Sequence, residues 1–424
     1  MNFFSFFAGV LLFCVSSITC AQNLPPLNSN AWNFIFVQNF ESNPETNNLS
    51  VQGFNHANLY GQLLSTATAG KLKDIRKIYA FDLQSKASNM KSVESIEPFG
   101  ILSNLGITRS IVNAGDRTTY NSPSYIISNI LANHPHGNYV VSMPVELINS
   151  TVSEILNSPT PAPVISNGNY NQYIVLSIEN GINSAIVYDD NIVSGKTYPS
   201  LKLKGGEACS QAAVKFHADK PIASPFAFNK NQIVHLLRHV EAHPTSTFEN
   251  GNLVCQGAWR AIGVTEILKR KIGVPAHFFT SNPNNIISCD STCSYIRPSL
   301  TIAPFAIEEN KQLELASFQW NDPASLATAL FTRNAPYGGR FDQSSVLVGW
   351  EHGNIESAVT YLFNTIYNNS AAAKLIPKWN FDDYDTIWTI SIDERGGATF
   401  SNSCEGVPTE SLPSTCPAFM PNAR

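Results

Sequence analysis

The chain has 424 residues, of which 43% are hydrophobic and 14% are charged, and its formal net charge is −5. A chain of this length predicts two or three domains, and the apolar fraction is typical of a soluble globular protein. The slightly acidic balance argues against a nucleic-acid partner, because phosphate backbones are bound by basic surfaces.

The first 21 residues predict a signal peptide. Residues 3–15 form an apolar run without a charged side chain, and Thr19, Cys20 and Ala21 follow as small residues before a cleavage site. The run is too short to span a bilayer, and no later segment reaches the ~18 apolar residues that a membrane helix needs. We therefore expect a secreted or periplasmic protein without a transmembrane segment; lipidation at Cys20 is the alternative.

The mature chain is predicted to contain two α/β domains, at residues 22–195 and 231–424, joined by a linker at 196–230. Apolar runs that end at polar loops predict strands in the first half at 34–37, 78–81 and 139–142. A predicted hairpin at 173–188 ends this half.

The second half shows the same alternation of apolar strands and helical patterns. Short strands that are apolar on both sides favour largely parallel sheets covered by helices. We therefore predict two tandem three-layer α/β/α domains with mainly parallel sheets. In the second half the predicted strands are at 233–237, 276–280 and 346–350, the predicted helices are at 258–271 and 355–367, and the predicted hairpin is at 386–400.

An internal repeat connects the two halves. Five pairs of segments match in the same order, with an offset that rises slowly from 200 to 214 residues, as small loop insertions in the second copy would produce. The matched segments are 35–41 with 235–241, 52–57 with 256–261, 90–101 with 296–307, 140–152 with 347–359, and 177–179 with 391–393.

Two strands of the second half run directly into residues that suit phosphoryl chemistry. One predicted strand is followed by Arg238 and His239, and another by Glu351 and His352. Ligands bind at the carboxyl ends of parallel strands. Arginine binds phosphate oxygens in bidentate fashion and keeps its proton, and a neutral imidazole is a competent nucleophile. The pattern predicts a phosphoryl-binding pocket at this edge.

These motifs resemble the histidine phosphatase superfamily, the phosphoglycerate-mutase-like group. Residues 237–242 (LRHVEA) are similar to its Arg-His-Gly motif, residues 280–283 (TSNP) leading to Arg297 are similar to its Ser-Pro loop and second arginine, and residues 348–355 (VGWEHGNI) are similar to the block with its second histidine. The resemblance covers about residues 230–400, and extends weakly to 31–190 through the repeat.

The resemblance implies a role for each matched residue. His239 would be the nucleophile that becomes phosphohistidine, and Arg238, Arg297 and His352 would bind the phosphoryl group. No metal ion or organic cofactor is implied, because the arginines supply the positive charge. The implied partners are phosphorylated small molecules or phosphoproteins.

Two positions depart from the family motif. Val240 replaces the glycine that follows the motif histidine, and Gly353 stands where the acid-phosphatase branch has a proton-donating aspartate. Glu351 is the nearest carboxylate in sequence, and we predict it as the proton donor. The alternatives are Glu308, Asp322 and Glu241.

The first half has lost the catalytic residue types. The repeat aligns Arg238 with Gln38, His239 with Asn39, Arg297 with Lys91, and His352 with Val145. Asparagine cannot accept a phosphoryl group as imidazole does. We therefore interpret the first half as a degenerate copy of the second. Two flanking histidines, His235 and His243, are predicted as a structural residue and a residue of the pocket rim.

Six cysteines remain after the signal peptide, an even number that indicates disulfide bonds in an exported chain. All fifteen pairings are open on spacing alone. Cys289 and Cys293 are close enough to close one loop, and Cys404 and Cys416 are a candidate pair for fixing the tail. A metal site is disfavoured because no Cys-x-x-Cys occurs.

The sequence thus predicts an exported phosphomonoester hydrolase that works through a phosphohistidine. Two alternatives stay open. A phosphomutase would pass the phosphoryl group to a second substrate in a site closed to water. A non-catalytic binding protein would keep the scaffold and the anion site without turnover.

Overall fold

The computed structural model describes residues 27–70, 75–84, 89–112, 122–157, 161–203, 205–244, 249–289 and 292–418. The predicted signal peptide lies outside these residues. Within the described ranges, no helix has the length and apolar character needed to cross a membrane.

Strands and helices alternate through the first half, as the predicted α/β pattern requires. The elements are β1 (Trp32–Gln38), α1 (Val51–Gly70), β2 (Ile75–Leu83), α2 (Lys91–Ser103), β3 (Ile107–Val112), α3 (Pro123–Asn133), β4 (Gly137–Met143), α4 (Val145–Leu156), β5 (Gln172–Glu179) and β6 (Ile182–Asp189).

The second half repeats this alternation with several additions. The elements are β7 (Lys215–Ala218), β8 (Gln232–Arg238), α5 (Cys255–Gly263), α6 (Thr265–Ile272), β9 (His277–Thr280), β10 (Ile286–Ser288), β11 (Thr292–Ser294), α7 (Arg297–Glu308), β12 (Leu313–Leu315), α8 (Pro323–Phe331), β13 (Ser345–Trp350), α9 (His352–Tyr361), a π-helical turn (Leu362–Ile366), α10 (Ser370–Ala373), β14 (Thr386–Ile392), β15 (Ala398–Cys404) and a 3-10 turn (Thr409–Ser411).

The two large sheets have the same strand order. The first runs β3-β2-β4-β1-β5-β6, and the second runs β12-β9-β13-β8-β14-β15 with β7 added at its edge. In each sheet four strands are parallel, and the C-terminal hairpin joins the central strand in antiparallel fashion. This architecture confirms the predicted α/β class with mainly parallel sheets flanked by helices.

The fully apolar strands are explained by cores on both faces of each sheet. Neighbouring side chains on a strand point to opposite faces, so Ile35 and Val37 of β1 belong to one core while Phe34 and Phe36 belong to another. Helices α3 and α4 cover the outer face of the first sheet, and α8 and α9 cover the outer face of the second. The inner core is shared, because α1 and α2 pack with α5 and α7 between the two sheets.

Two predicted segments differ in the structure. Part of the predicted linker forms β7, which pairs with β15 and extends the second sheet. The single helix expected at 258–271 is two helices that meet at Val264, where the hydroxyl of Thr265 donates to the carbonyl of Ile262. Such a local bond competes with the regular helical pattern.

The disulfides correct one expected pairing. Cys289 pairs with Cys293, as spacing indicated. The Cys404–Cys416 pair was wrong, because Cys404 pairs with Cys209 and Cys416 pairs with Cys255. The reason is topological. Cys404 ends β15, beside the segment with Cys209 that leads into β7, whereas the tail with Cys416 continues to Cys255 at the start of α5.

Candidate active site

The carboxyl ends of β8 and β13 bring the predicted residues together. The two strands are parallel neighbours, and Trp350 pairs in register with Arg238. The backbone N–H of His239 continues this pairing by donating to the carbonyl of Trp350 at 2.8 Å. His352 then begins α9. Both motifs therefore reach one edge of the sheet, as expected for ligand sites in parallel sheets.

A cleft of about 410 Å³ opens at this edge, within the usual size of ligand pockets, about 300–1,000 Å³. All five site residues predicted from the sequence line it, and so does His243, which was expected at the rim. The predicted residues are Arg238, His239, Arg297, Glu351 and His352. A smaller cavity of about 40 Å³ lies between the halves, among α1, α2, α5 and α7, away from these residues.

His239 is held as a neutral imidazole. Burial lowers its pKa well below the ordinary value, and the charges of Arg297 and Arg238 lower it further. Its Nδ1 lies 2.9 Å from the carbonyl oxygen of Val240. A carbonyl only accepts hydrogen bonds, so Nδ1 carries the proton and Nε2 keeps a free lone pair. The ring is therefore set up as a nucleophile at Nε2.

Two buried arginines line the same cleft as this ring. The side chain of Arg238 donates to the carbonyl oxygens of Phe381 and Asp383, and its guanidinium stacks on Tyr384, 3.9 Å from the ring centroid. Burial lowers the pKa of Arg238, but a guanidinium remains charged in proteins. The Nε–H of Arg238 is buried and has no hydrogen-bond partner among the described residues.

Arg297 is the first residue of α7, which places it at the cleft. Its Nη2 donates to the carboxylate of Glu249 at 2.8 Å, and its guanidinium lies 4.8 Å from the ring centroid of Tyr295. Its Nε–H is also buried without an acceptor among the described residues. Unpaired buried donors are costly, and an anion in the cleft would supply acceptors to both arginines.

Glu351 is fixed as the N-cap of α9. Its carboxylate accepts from the backbone N–H groups of Gly353 and Asn354 at 2.9 and 2.8 Å, and its Oε1 lies 2.6 Å from Nδ1 of His352. Burial opposes ionisation of Glu351, but His352 and the two backbone donors outweigh it and lower the pKa to about 2. Glu351 thus accepts hydrogen bonds from the first turn of α9 and contacts His352.

The three alternative donors lie elsewhere. Glu241 is buried against Arg260, Asp322 caps the N-terminus of α8, and Glu308 ends α7 near Thr265. None of them lines the cleft. The lining carboxylate that the sequence analysis missed is Glu249, whose Oε1 accepts from the N–H of Gly251 at 2.7 Å. It precedes α5 in a polar loop, where neither spacing nor periodicity distinguishes it.

Val240 does not obstruct the cleft, although it replaces the motif glycine. Its side chain is 2% exposed and belongs to the inner core. Its N–H donates to the hydroxyl of Thr301 at 3.0 Å, and Thr301 in turn donates to the carbonyl of Arg297. The Val240 backbone therefore connects the strand bearing His239 to the helix bearing Arg297.

His235, predicted as structural, lies within the sheet. Its Nδ1 is 3.0 Å from the hydroxyl oxygen of Thr389, and burial lowers its pKa to about 4.

In the first half, the aligned polar positions make structural hydrogen bonds. Gln38 donates to the carbonyls of Asn169 and Gln172 at 2.7 and 2.8 Å. Asn39, aligned with His239, accepts from the hydroxyl of Ser92 at 2.8 Å. Lys91 and Val145 begin α2 and α4, just as Arg297 and His352 begin α7 and α9. The positions correspond, but the imidazoles and arginines are absent from them.

A buried ion cluster recurs at matching places in both halves. In the first, His56 lies 3.1 Å from Glu41 and 3.1 Å from Asp190. In the second, Arg260 takes the place of the histidine and binds Glu241 and Glu405. In each half the cluster joins three places: the loop after the central strand (β1 or β8), the helix after that loop (α1 or α5) and the end of the hairpin (β6 or β15). It therefore fixes the loop that follows Asn39 in the first half and His239 in the second.

The first half also packs against the segments that flank the cleft. The N–H of Arg109, on β3, donates to the hydroxyl of Ser294, and its Nη1 donates to the side chain of Asn284 at 2.5 Å. Gly106 lies so close to the carbonyl oxygen of Asn250 that an added Cβ would be 2.7 Å from it. The hairpin of β10 and β11 and the loop around Asn250, which lead to Arg297 and Glu249, thus rest on the first half.

Comparison with protein-family models gives no match, and comparison with curated proteins gives none either. Among solved structures, the chain is similar to the protein histidine phosphatase SixA complexed with tungstate, at 12% identity over 37% of this chain and 97% of that one, with a TM-score of 0.28. A mycobacterial glucosyl-3-phosphoglycerate phosphatase matches at 11% identity, 42% and 99% coverage, and a TM-score of 0.27. A phosphoglycerate mutase from Plasmodium falciparum matches at 14% identity, 40% and 97% coverage, and a TM-score of 0.23.

Proposed function

We propose that this protein is an exported phosphomonoester hydrolase that forms a phosphohistidine on His239. One observation carries the proposal: a neutral imidazole with a free Nε2 lone pair lines the same cleft as two buried arginines, and the Nε–H group of each arginine lacks an acceptor among the described residues. A phosphoryl group supplies both an electrophile for the imidazole and acceptors for the arginines.

Binding of the substrate follows from the charges. Arg238 and Arg297 bind the phosphoryl oxygens and neutralise the charge that spreads over them in the transition state. His352 adds a further donor, and Glu351 holds its ring in place by contact with Nδ1. In this proposal Glu351 positions His352 and does not transfer a proton.

The reaction then proceeds in two displacements. Nε2 of His239 attacks phosphorus, the bond to the ester oxygen breaks, and the leaving alcohol takes a proton from Glu249. The Nδ1–H of His239 keeps its hydrogen bond to the carbonyl oxygen of Val240 throughout. In the second displacement a water attacks the phosphohistidine and returns its proton to Glu249, the bond from nitrogen to phosphorus breaks, and phosphate leaves.

We further propose that residues 22–195 are a degenerate copy of the catalytic domain at 231–424, with 196–230 between them, and that residues 1–21 direct export. The identical strand order, the matching helix starts and the paired ion clusters support a duplication. The three disulfides of the described residues support an oxidising compartment.

The test is hydrolysis of p-nitrophenyl phosphate by the mature chain between pH 4 and 8. We expect His239→Ala to abolish phosphate release, and mass spectrometry of the quenched wild type to show a phosphorylated peptide containing residue 239. The matched control is His217→Ala, a partly exposed histidine on β7 outside the cleft, and it should retain wild-type rates. Equal activity of wild type and His239→Ala would refute the assignment of the nucleophile.

A further inference from the structure

The part of the cleft next to the phosphoryl-binding residues is walled by aromatic rings. Tyr295, Trp320, Phe381 and Tyr384 all line it. The rings of Tyr295 and Trp320 lie 4.7 Å apart between centroids at 45°. Phe381 is 63% exposed and therefore leaves an aromatic surface open to a ligand. Four aromatic side chains in one cleft indicate a flat, apolar ligand group in contact with them.

The aromatic wall begins directly at the residues that would hold phosphorus. The Phe381 ring centroid is 5.3 Å from the guanidinium carbon of Arg238 and 5.7 Å from the ring centroid of His352. The ring centroid of Tyr295 is 6.4 Å from that of His239. A leaving group attached to a phosphoryl group held by these residues would therefore lie close to aromatic side chains.

The charges of the cleft match a single phosphoryl group. Among the described lining residues, Arg238 and Arg297 are the only lysine or arginine side chains, and Glu249 and Glu351 add two carboxylates. Further phosphate groups on a substrate would meet no additional guanidinium or ammonium group here and would be repelled by the carboxylates. The cleft thus disfavours substrates that carry several phosphates.

We propose that Tyr295, Trp320 and Phe381 form a binding subsite for an aromatic leaving group, so that the preferred substrates are monophosphate esters of phenols, including phosphotyrosine. This inference rests on the proposed hydrolase function. The ester oxygen carries the ring directly, which places the ring against the aromatic wall while the phosphoryl group occupies the arginines. The cleft of about 410 Å³ has room for both parts of such a ligand.

The subsite is tested with phosphonates, which bind without being cleaved. Calorimetry on the mature protein should show phenylphosphonate binding about tenfold more tightly than methylphosphonate, the size expected from one or two aromatic contacts. Phe381→Ala should remove most of this preference, measured as the ratio of the two affinities in the same variant. Tyr125→Ala, which removes an exposed aromatic residue of α3, is the matched control and should leave both affinities unchanged.

Each outcome of this experiment decides the proposal. Equal affinities for the two phosphonates, tighter binding of inositol hexakisphosphate than of phenylphosphonate, or no binding of any of them would overturn the subsite. A preference for phenylphosphonate without hydrolysis would support the aromatic subsite and refute the hydrolase function. Hydrolysis without a preference for phenylphosphonate would support the hydrolase function and refute the subsite.

Discussion

Arg109 connects the first half to the rim of the cleft, and its removal is expected to affect stability and ligand binding separately. Its Nε donates to Asp82 at 2.8 Å, and both side chains are fully buried. The Arg109→Met substitution keeps most of the apolar length but removes the cation. It also removes the side-chain hydrogen bond to Asn284 that holds the loop before β10.

The size of the effect follows from burial. A buried ion pair that loses one partner leaves an uncompensated charge, which costs about 3–5 kcal/mol. We therefore expect Arg109→Met to lower the free energy of unfolding by about this amount. The double variant Arg109→Met with Asp82→Asn removes both charges and should recover most of the loss, because replacing a whole buried pair is often nearly neutral.

Ligand binding should not recover in the double variant. The contact with Asn284 is still missing, so the segment leading to Arg297 stays loosened, and we expect phosphate to bind about tenfold more weakly in both variants. Urea unfolding and calorimetry measure the two effects. Arg76→Met, an exposed arginine of β2, is the control. Wild-type phosphate affinity in Arg109→Met would refute the idea that the first half positions the site, and a stability loss below about 1 kcal/mol would refute the energetic argument.

Three further predictions concern protons and charge. Glu249→Gln should lower kcat by about a hundredfold for phenyl phosphate but much less for p-nitrophenyl phosphate, whose leaving group needs no general acid; similar losses with both esters would exclude Glu249 as the donor. Burial opposes protonation of His56, but its contacts with Asp190 and Glu41 raise its pKa to about 9. The contribution of protonated His56 to the free energy of unfolding is therefore fully present below pH 6.5 and is lost as the pH rises through about 9. Urea titrations at pH 6 and 9.5 should show a loss of about 3 kcal/mol that is absent in His56→Gln. Arg297→Lys should raise the KM for aryl phosphates at least about tenfold, because an ammonium cannot replace a bidentate fork; an unchanged KM would place the phosphoryl group elsewhere.

The strands and their ends were predictable because the signal is local. Apolar runs determine where β8 and β13 lie, and parallel pairing then brings Arg238, His239 and His352 to one edge. Arg297 was predicted through the resemblance of residues 280–283 to the Ser-Pro loop of the histidine phosphatase superfamily, and in the structure it begins α7. The fold class followed from the same alternation of strands and helices.

Other features were set by distant contacts and could not be predicted from local patterns. Glu249 enters the cleft through a loop that rests on the first half, and nothing in its neighbours along the chain indicates this. Glu351 was predicted as a proton donor because it is the nearest carboxylate in sequence, a pattern that does not reveal its contacts with the N-terminus of α9 and with His352, which lower its pKa. The partners of Cys404 and Cys416 depend on which chain segments lie beside β15 and α5.

The inner core between the two sheets has a consequence for how this sequence can change over evolutionary time. Phe54 and Phe99 of the first half and Leu300 and Ala303 of the second lie in one continuous cluster. If the first half is a copy released from catalysis, its residues around Asn39 are free to drift, whereas its inward-facing side chains remain under the same selection as the active half. Among homologues, we expect substitutions in the first half to concentrate at the former site and to spare the shared core.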